Sequence, residues 1–345
     1  MSWHDLPKPD GVGDITESED GFEVPVSIPS DEDGYFGREC PSCEGPFKMR
    51  GDGYEALPDE IELTCPYCGH QEDHSAFTSA AQHVRAMAAA EGLVEQWIHG
   101  QMNDILGSTF GRRSSHPRRR DSFISIETSY TPGAPPPVRE LPEALEERTR
   151  RVVECSSCAN HHAVYSASSF CPVCGPRPAG EKVLEAITAA REALAVEDRL
   201  GENERETLRA AGVFERFAVD AIESVVSLFE IFAREQFSQR AADAQQHTKG
   251  KGNLFQRLDD TAALFAELTD VDLVELAGDE RWQRLKRTFA RRHVLTHTGG
   301  IIDEKFLNQV PDSGLKVGQR LVLRRTDAAL ALDDLEAVVH ALAGV

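Results

Sequence analysis

Cys40-Pro41-Ser42-Cys43, Cys65-Pro66-Tyr67-Cys68-Gly69, Cys155-Ser156-Ser157-Cys158 and Cys171-Pro172-Val173-Cys174-Gly175 hold every cysteine of the chain, eight in all. The pairs form two sets of four, with 21 residues between the pairs of the first set and 12 in the second. Two Cys-x-x-Cys knuckles brought together supply the four soft ligands of a tetrahedral Zn²⁺. In the second knuckle of each set the Gly after the last Cys can take φ > 0, which turns backbone N–H groups toward the thiolates. Two zinc ribbons are therefore expected, at 38–74 and 150–178, each holding one structural zinc ion. Four thiolates leave no open position for catalysis. Each ion would supply on the order of 10 kcal/mol to a lobe with little core of its own. Cys65-Pro66-Tyr67-Cys68 is also a glutaredoxin-like tetrapeptide, but Gly69-His70 follows where a redox site would open a helix. Disulfides would need secretion, and Met1–Asp10 lacks the basic and apolar regions of a signal peptide.

At about 150 residues per domain, 345 residues make two or three units. No apolar run reaches the ~18 residues of a membrane span, so a cytoplasmic protein with no membrane partner is expected. The net charge of −21 argues against nonspecific coating of nucleic acid. The charge is uneven, however. Residues 1–80 carry 19 acidic and 4 basic side chains, whereas 281–325 carry 11 basic and 3 acidic ones.

The chain divides accordingly. Residues 1–37 are acidic, poor in large apolar residues and expected to be flexible. Within 75–149, Ser79-Ala80-Ala81-Gln82 has capping-box spacing and opens a long helix to Leu106, with Val84, Met87, Val94, Trp97, Ile98 and Ile105 at helical spacing. A basic stretch, Arg112-Arg113 to Arg118-Arg119-Arg120, a short strand at Phe123–Tyr130 and a Pro-rich linker at Pro132–Pro142 follow. His70 and His74 are spare candidates for the first metal site, and His161-His162 read as exposed loop residues. Residues 180–345 are an all-α bundle, with helices at Val183–Ala195, Val213–Phe237, Leu254–Leu268, Arg281–His297 and Asp327–Ala343. The second of these is apolar nearly all round, the mark of a central helix or a subunit interface. The fold class is thus α+β: two four-Cys ribbons with an intervening helix, then a helical bundle.

Chemistry is expected in Arg291-Arg292-His293-Val294-Leu295-Thr296-His297-Thr298-Gly299-Gly300. The Gly pair ends the helix, which puts His297 in its last turn, where the macrodipole favours a cation. At 100° per residue Trp282, Leu285 and Phe289 make an apolar arc, with His293 and Thr296 within or beside it. Arg292 and His297 flank the arc, roughly 140° apart, and two copies of the helix across a dimer would unite them more easily than one. Glu223 is the acidic candidate to pair with Arg292.

An Arg, a polar residue, three residues and a His late in a helix of a small α-bundle form the signature of the HEPN superfamily. Arg292, His293 and His297 match it, and 200–345 resembles such domains. Gly252-Asn253, Phe255-Gln256-Arg257-Leu258-Asp259-Asp260 and Gly299-Gly300-Ile301-Ile302-Asp303-Glu304-Lys305 carry the likeness beyond the motif. Phe36–Pro41 and Cys65–His70 resemble ribbons attached to such domains in prokaryotic proteins. The resemblance implies a metal-independent endoribonuclease, dimeric through the bundle, of the kind found in toxin and antiviral-defence systems. His297 would be its general base or acid, Arg292 its phosphate stabiliser and His293 a second proton carrier or an orienting group. The ribbons would recognise RNA or a protein partner. The rival expectation is a non-catalytic adaptor whose ribbons bind nucleic acid or protein and whose bundle only dimerises. Both predict bound zinc; RNA cleavage separates them.

Overall fold

The computed structural model describes residues 3–18, 21–58, 60–110, 130–143 and 151–344. They form two units, Met1–Pro176 and Arg177–Val345, in an α+β fold as expected.

In the first unit each Cys-x-x-Cys knuckle closes a β-hairpin. A small hairpin, β1 (Thr16–Ser18) and β2 (Gly21–Glu23), comes first. Strands β3 (Tyr35–Glu39) and β4 (Pro46–Arg50) flank the first knuckle, and a short helix, α1 (Gly51–Glu55), follows them. Strands β5 (Glu62–Thr64) and β6 (Gln71–Asp73) flank the second. After the long helix α2 (Ala80–Phe110), β7 (Arg151–Glu154) and β8 (His161–Val164) flank the third, and β9 (Phe170–Cys171) and β10 (Gly175–Pro176) hold the fourth.

The two cysteine sets share one antiparallel sheet of order β3-β4-β8-β7. Its joint is the β4–β8 ladder, with Phe47 opposite Val164, Lys48 opposite Ala163 and Met49 opposite His162. Phe36, Phe47, Met49, Leu63, Phe77, Val153 and Val164 close a common apolar cluster. Pairing edge to edge removes two exposed strand edges.

Several expectations are corrected here. His162 is fully buried, because β8 is an inner strand paired on both sides. Within the acidic segment 1–37, Leu6 and Ile15 are buried with Leu93, and Trp3 stacks on Trp97 at 4.9 Å. A handful of large apolar residues anchors it despite its charge, and β3 already begins at Tyr35. The α2 capping box forms, with Ser79 N–H donating to Gln82 Oε1 and Gln82 N–H to Ser79 Oγ. Of the apolar positions at helical spacing, Val84, Met87, Ile98 and Ile105 are exposed. The inward face is Gln82, Ala89, Leu93 and Gln96. Gln82 is welcome inside because its amide donates to Gly37 O at 2.6 Å and accepts from Arg38 at 3.1 Å. The helix also runs through Gly107, where Ser108 and Thr109 hydroxyls bond back to Ile105 O. Residues 132–142 have no regular structure; the 112–120 basic stretch and most of the expected 123–130 strand lie outside the described residues. No helix among the described residues is long and apolar enough to cross a membrane.

The second unit is helical: α3 (Ala179–Arg199), α4 (Glu202–Ala210), α5 (Val213–Arg240), α6 (Ala244–Thr248), α7 (Leu258–Leu268), α8 (Leu273–Ala277), α9 (Asp279–His297), α10 (Glu304–Gln309) and α11 (Arg325–Ala343). Central α5 packs against α3, α9 and α11, burying Ile222, Val225, Val226, Phe229, Phe232 and Phe237. It keeps one wet strip, at Ser227 and Ile231, so it is not apolar all round. The helix expected over Leu254–Leu268 is broken. A 3₁₀ turn at Leu254–Gln256 and extended Arg257 precede α7, which lets both Phe255 and Leu258 reach the core. Helix α9 is fixed from two sides. Trp282 is buried edge-on to Phe229, while Arg284 holds the buried Asp334 of α11 with two nitrogens. Helix α9 buries two faces, with Val294 and Ala290 inside as well as Leu285.

Candidate functional site

Two kinds of site emerge. In the first unit, Cys40, Cys43, Cys65 and Cys68 form one cluster and Cys155, Cys158, Cys171 and Cys174 another, the sulfurs of each within 4.8 Å of one another. Sulfur pairs lie 3.7 Å apart in the first (Cys40–Cys68, Cys43–Cys65) and 3.5 and 3.6 Å in the second (Cys155–Cys174, Cys158–Cys171). A tetrahedral ion with metal–sulfur bonds of about 2.3 Å needs ligands ~3.8 Å apart, so both sets can hold a metal ion.

Local chain geometry makes the knuckles. The residue after each second cysteine has positive φ: Glu44 (56°), Gly69 (73°), Ala159 (56°) and Gly175 (84°). Only the glycines were foreseeable; Glu44 and Ala159 accept a conformation that costs an L-residue about 1 kcal/mol or more. The Ser42 and Val173 amides donate to Cys40 and Cys171 sulfurs at 3.4 and 3.5 Å. Burial pushes the Cys65 and Cys171 thiols up and takes Cys174 to about 12. At Cys68 burial also works upward, but the His70 amide and neighbouring thiols bring it down to about 7. A bound cation would supply the positive charge these clusters lack as thiolates. His70 bonds Glu72 at 2.9 Å and His74 bonds the Tyr54 hydroxyl, so each has a partner other than a metal.

In the second unit the end of α9 lines a cleft of about 700 Å³. Arg292, His293 and His297 all face it, so a single copy of the helix brings to one cleft the groups the wheel had set apart. Helix α9 stops where expected, with Thr298 and Gly300 amides both returning to Val294 O and with Gly299 and Gly300 at positive φ. The His293 and His297 rings lie 4.6 Å apart. His297 is exposed, and Arg292 and His293 are half-buried. Glu223 is not the partner of Arg292: it lies 3.5 Å from the Thr296 hydroxyl and 3.9 Å from Arg216, the latter about two turns back on its own helix. Arg292 makes no hydrogen bond or ion pair among the described residues.

Other walls of the cleft come from the segments flanking the motif in the sequence. Arg257 is neutralised by Asp260 at 2.7 Å and Lys286 by Asp259 at 2.9 Å. Lys305 of α10 makes no ion pair among the described residues and lies 3.3 Å from His293 Nε2. Burial, then the charges of Lys305, His297 and Arg292, hold His293 below the usual imidazole range, against the upward pull of Asp303. The cleft therefore presents two unneutralised cations beside two imidazoles, with amides of Asn253, Asn308 and Gln309 on its walls. Such a surface suits a phosphodiester. Sequence reading missed Lys305, Lys286 and Arg257 as cleft residues, although the basic bias of 281–325 was a signal for the first two. In comparisons with known proteins, no protein-family model, curated protein or solved structure matches the chain.

Proposed function

We propose that this chain is a metal-independent endoribonuclease of the HEPN type, working in a toxin-like or antiviral-defence role and stapled by two structural zinc ions. The observation that carries the reading is the joint presence of Arg292, His293 and His297 in one cleft, with no ion pair to Arg292 among the described residues. Cleavage by an RNA 2′-hydroxyl needs a proton acceptor, a proton donor and positive charge at the phosphate. His297, exposed at the mouth of the cleft, takes the 2′-OH proton. The 2′-oxygen then bonds to phosphorus, the bond from phosphorus to the 5′-oxygen breaks, and that oxygen receives a proton. In two facing copies of the bundle the second His297 is the donor. Arg292 neutralises the charge that gathers on the phosphoryl oxygens. The products are a 2′,3′-cyclic phosphate and a 5′-hydroxyl. The thiolate sets fit Zn²⁺ in ligand type, number and spacing, and their hairpins offer an RNA- or protein-recognition surface.

Purified protein incubated with total RNA in EDTA tests this. Wild type should cut, and His297→Ala and Arg292→Ala should each lose about 10²-fold or more. No cleavage by wild type, or equal cleavage by both variants, ends the nuclease reading. One observation favours the adaptor reading instead: the exposed apolar residues Val84, Met87, Ile98, Met102 and Ile105 on α2 form a docking face that catalysis does not require.

A further inference from the structure

The two imidazoles of the cleft are not equivalent, and the difference comes from α10. An ammonium has three N–H donors and no acceptor. At 3.3 Å from His293 Nε2, Lys305 must be the donor and the ring nitrogen the acceptor. A neutral ring that accepts at Nε2 carries its proton on Nδ1. Protonating His293 would place an N–H on Nε2 against the Lys305 ammonium and add a positive charge to the cleft that Arg292 and Lys305 already line. The other charged groups around the ring do not reverse this. Asp303 pulls the opposite way, but its carboxylate is engaged as the α10 N-cap, accepting from Phe306 N–H at 2.8 Å. Asp259 and Asp260 across the cleft are tied to Lys286 and Arg257. From α5 the cleft receives only the apolar Val226.

We propose that Lys305 is a positioning residue, which fixes His293 as a neutral, Nδ1-protonated ring and so withdraws it from proton transfer. His293 then serves as a fixed N–H donor, and His297 is left as the group that exchanges protons. The functional half of this inference rests on the nuclease reading; the Lys305–His293 contact does not. Lys305 is exposed at the start of a short helix, so its replacement leaves the core intact.

The experiment is a ¹⁵N-histidine NMR titration of the full chain, wild type beside Lys305→Met and Lys305→Arg, with thermal melts to show that all three are folded. Wild-type His293 should show the Nδ1–H tautomer and titrate below the usual imidazole range. Lys305→Met should move the His293 midpoint upward and turn its tautomer toward Nε2–H, and Lys305→Arg should restore both. A folded Lys305→Met whose His293 midpoint and tautomer match wild type overturns the proposal. RNA cleavage measured against pH is the second arm. Lys305→Met should add a new acid limb as His293 begins to compete for the proton. If wild type cuts no RNA but the NMR shifts occur, the nuclease reading falls and the positioning role stands; if RNA is cut and the shifts are absent, the reverse holds.

Discussion

Because both cysteine sets share one sheet, breaking one should weaken metal binding at the other. Cys158→Ser/Cys174→Ser removes two exposed thiols and so destroys the second site with little loss of packing. The link to the first site runs through the β4–β8 ladder and three backbone bonds between knuckles. These are Thr64 N–H to Pro172 O at 2.8 Å, and Ser169 and Phe170 N–H to Pro66 O at 2.9 and 3.1 Å. Tyr67 adds its hydroxyl, which donates to Pro46 O at 2.6 Å and accepts from Tyr165 N–H at 3.1 Å. If the unligated hairpins β7–β8 and β9–β10 fray, the three inter-knuckle bonds go with them, at about 1 kcal/mol each. A coupling of ~3 kcal/mol corresponds to roughly a 100-fold loss of affinity at the intact site. Competition with a coloured chelator, alongside metal content per chain, measures this directly. Wild type should hold two ions, and the variant should give up its remaining ion at far lower chelator. If that ion binds within twofold of wild type, the sheet does not couple the sites and they are independent modules.

Other perturbations probe the frame around the cleft. Trp282→Ala empties a buried site against Phe229 and should cost about 3–5 kcal/mol in chemical denaturation of the second unit; a loss under 1 kcal/mol would mean that α9 is not anchored as described. Asp31 lies 2.7 Å from buried Lys48. Burial works to raise its carboxyl, but the Lys48 contact and the Tyr35 and Asp33 amides outweigh it and the net shift is downward. A carboxyl lowered in the folded state stabilises above its unfolded value of about 3.9, and the contribution is lost as pH falls through the folded value. Asp31→Asn should therefore lower stability at neutral pH and flatten its fall in acid, read from melts between pH 2 and 7. An acid limb of unchanged slope would refute the pairing.

The cysteine pairs were legible because ligand number and spacing are local properties of the sequence. The end of α9 was legible for a similar reason, since a glycine pair after a periodic run marks a helix stop. The union of the two cysteine sets was not, because Phe47 and Val164 meet across more than a hundred residues without any local signature. Helix α2 was legible as a helix, but its orientation was not: Val84, Met87, Ile98 and Ile105 face out. The inward positions Gln82 and Gln96 read as surface residues until the partners of Gln82, Gly37 O and Arg38, are seen. The cleft was half legible: Arg292, His293 and His297 stand in the motif, whereas Lys305 arrives from a separate short helix whose docking no periodicity announces.

The most direct test of the central claim is the chemistry of the cut ends. A single-stranded RNA incubated with wild-type protein in EDTA should yield 2′,3′-cyclic phosphate and 5′-hydroxyl termini, and the same oligonucleotide with a 2′-deoxy residue at the cleaved position should stay intact there. Cleavage that leaves 5′-phosphates, or that continues at the deoxy position, would contradict attack by the 2′-hydroxyl and with it the roles given to His297 and Arg292.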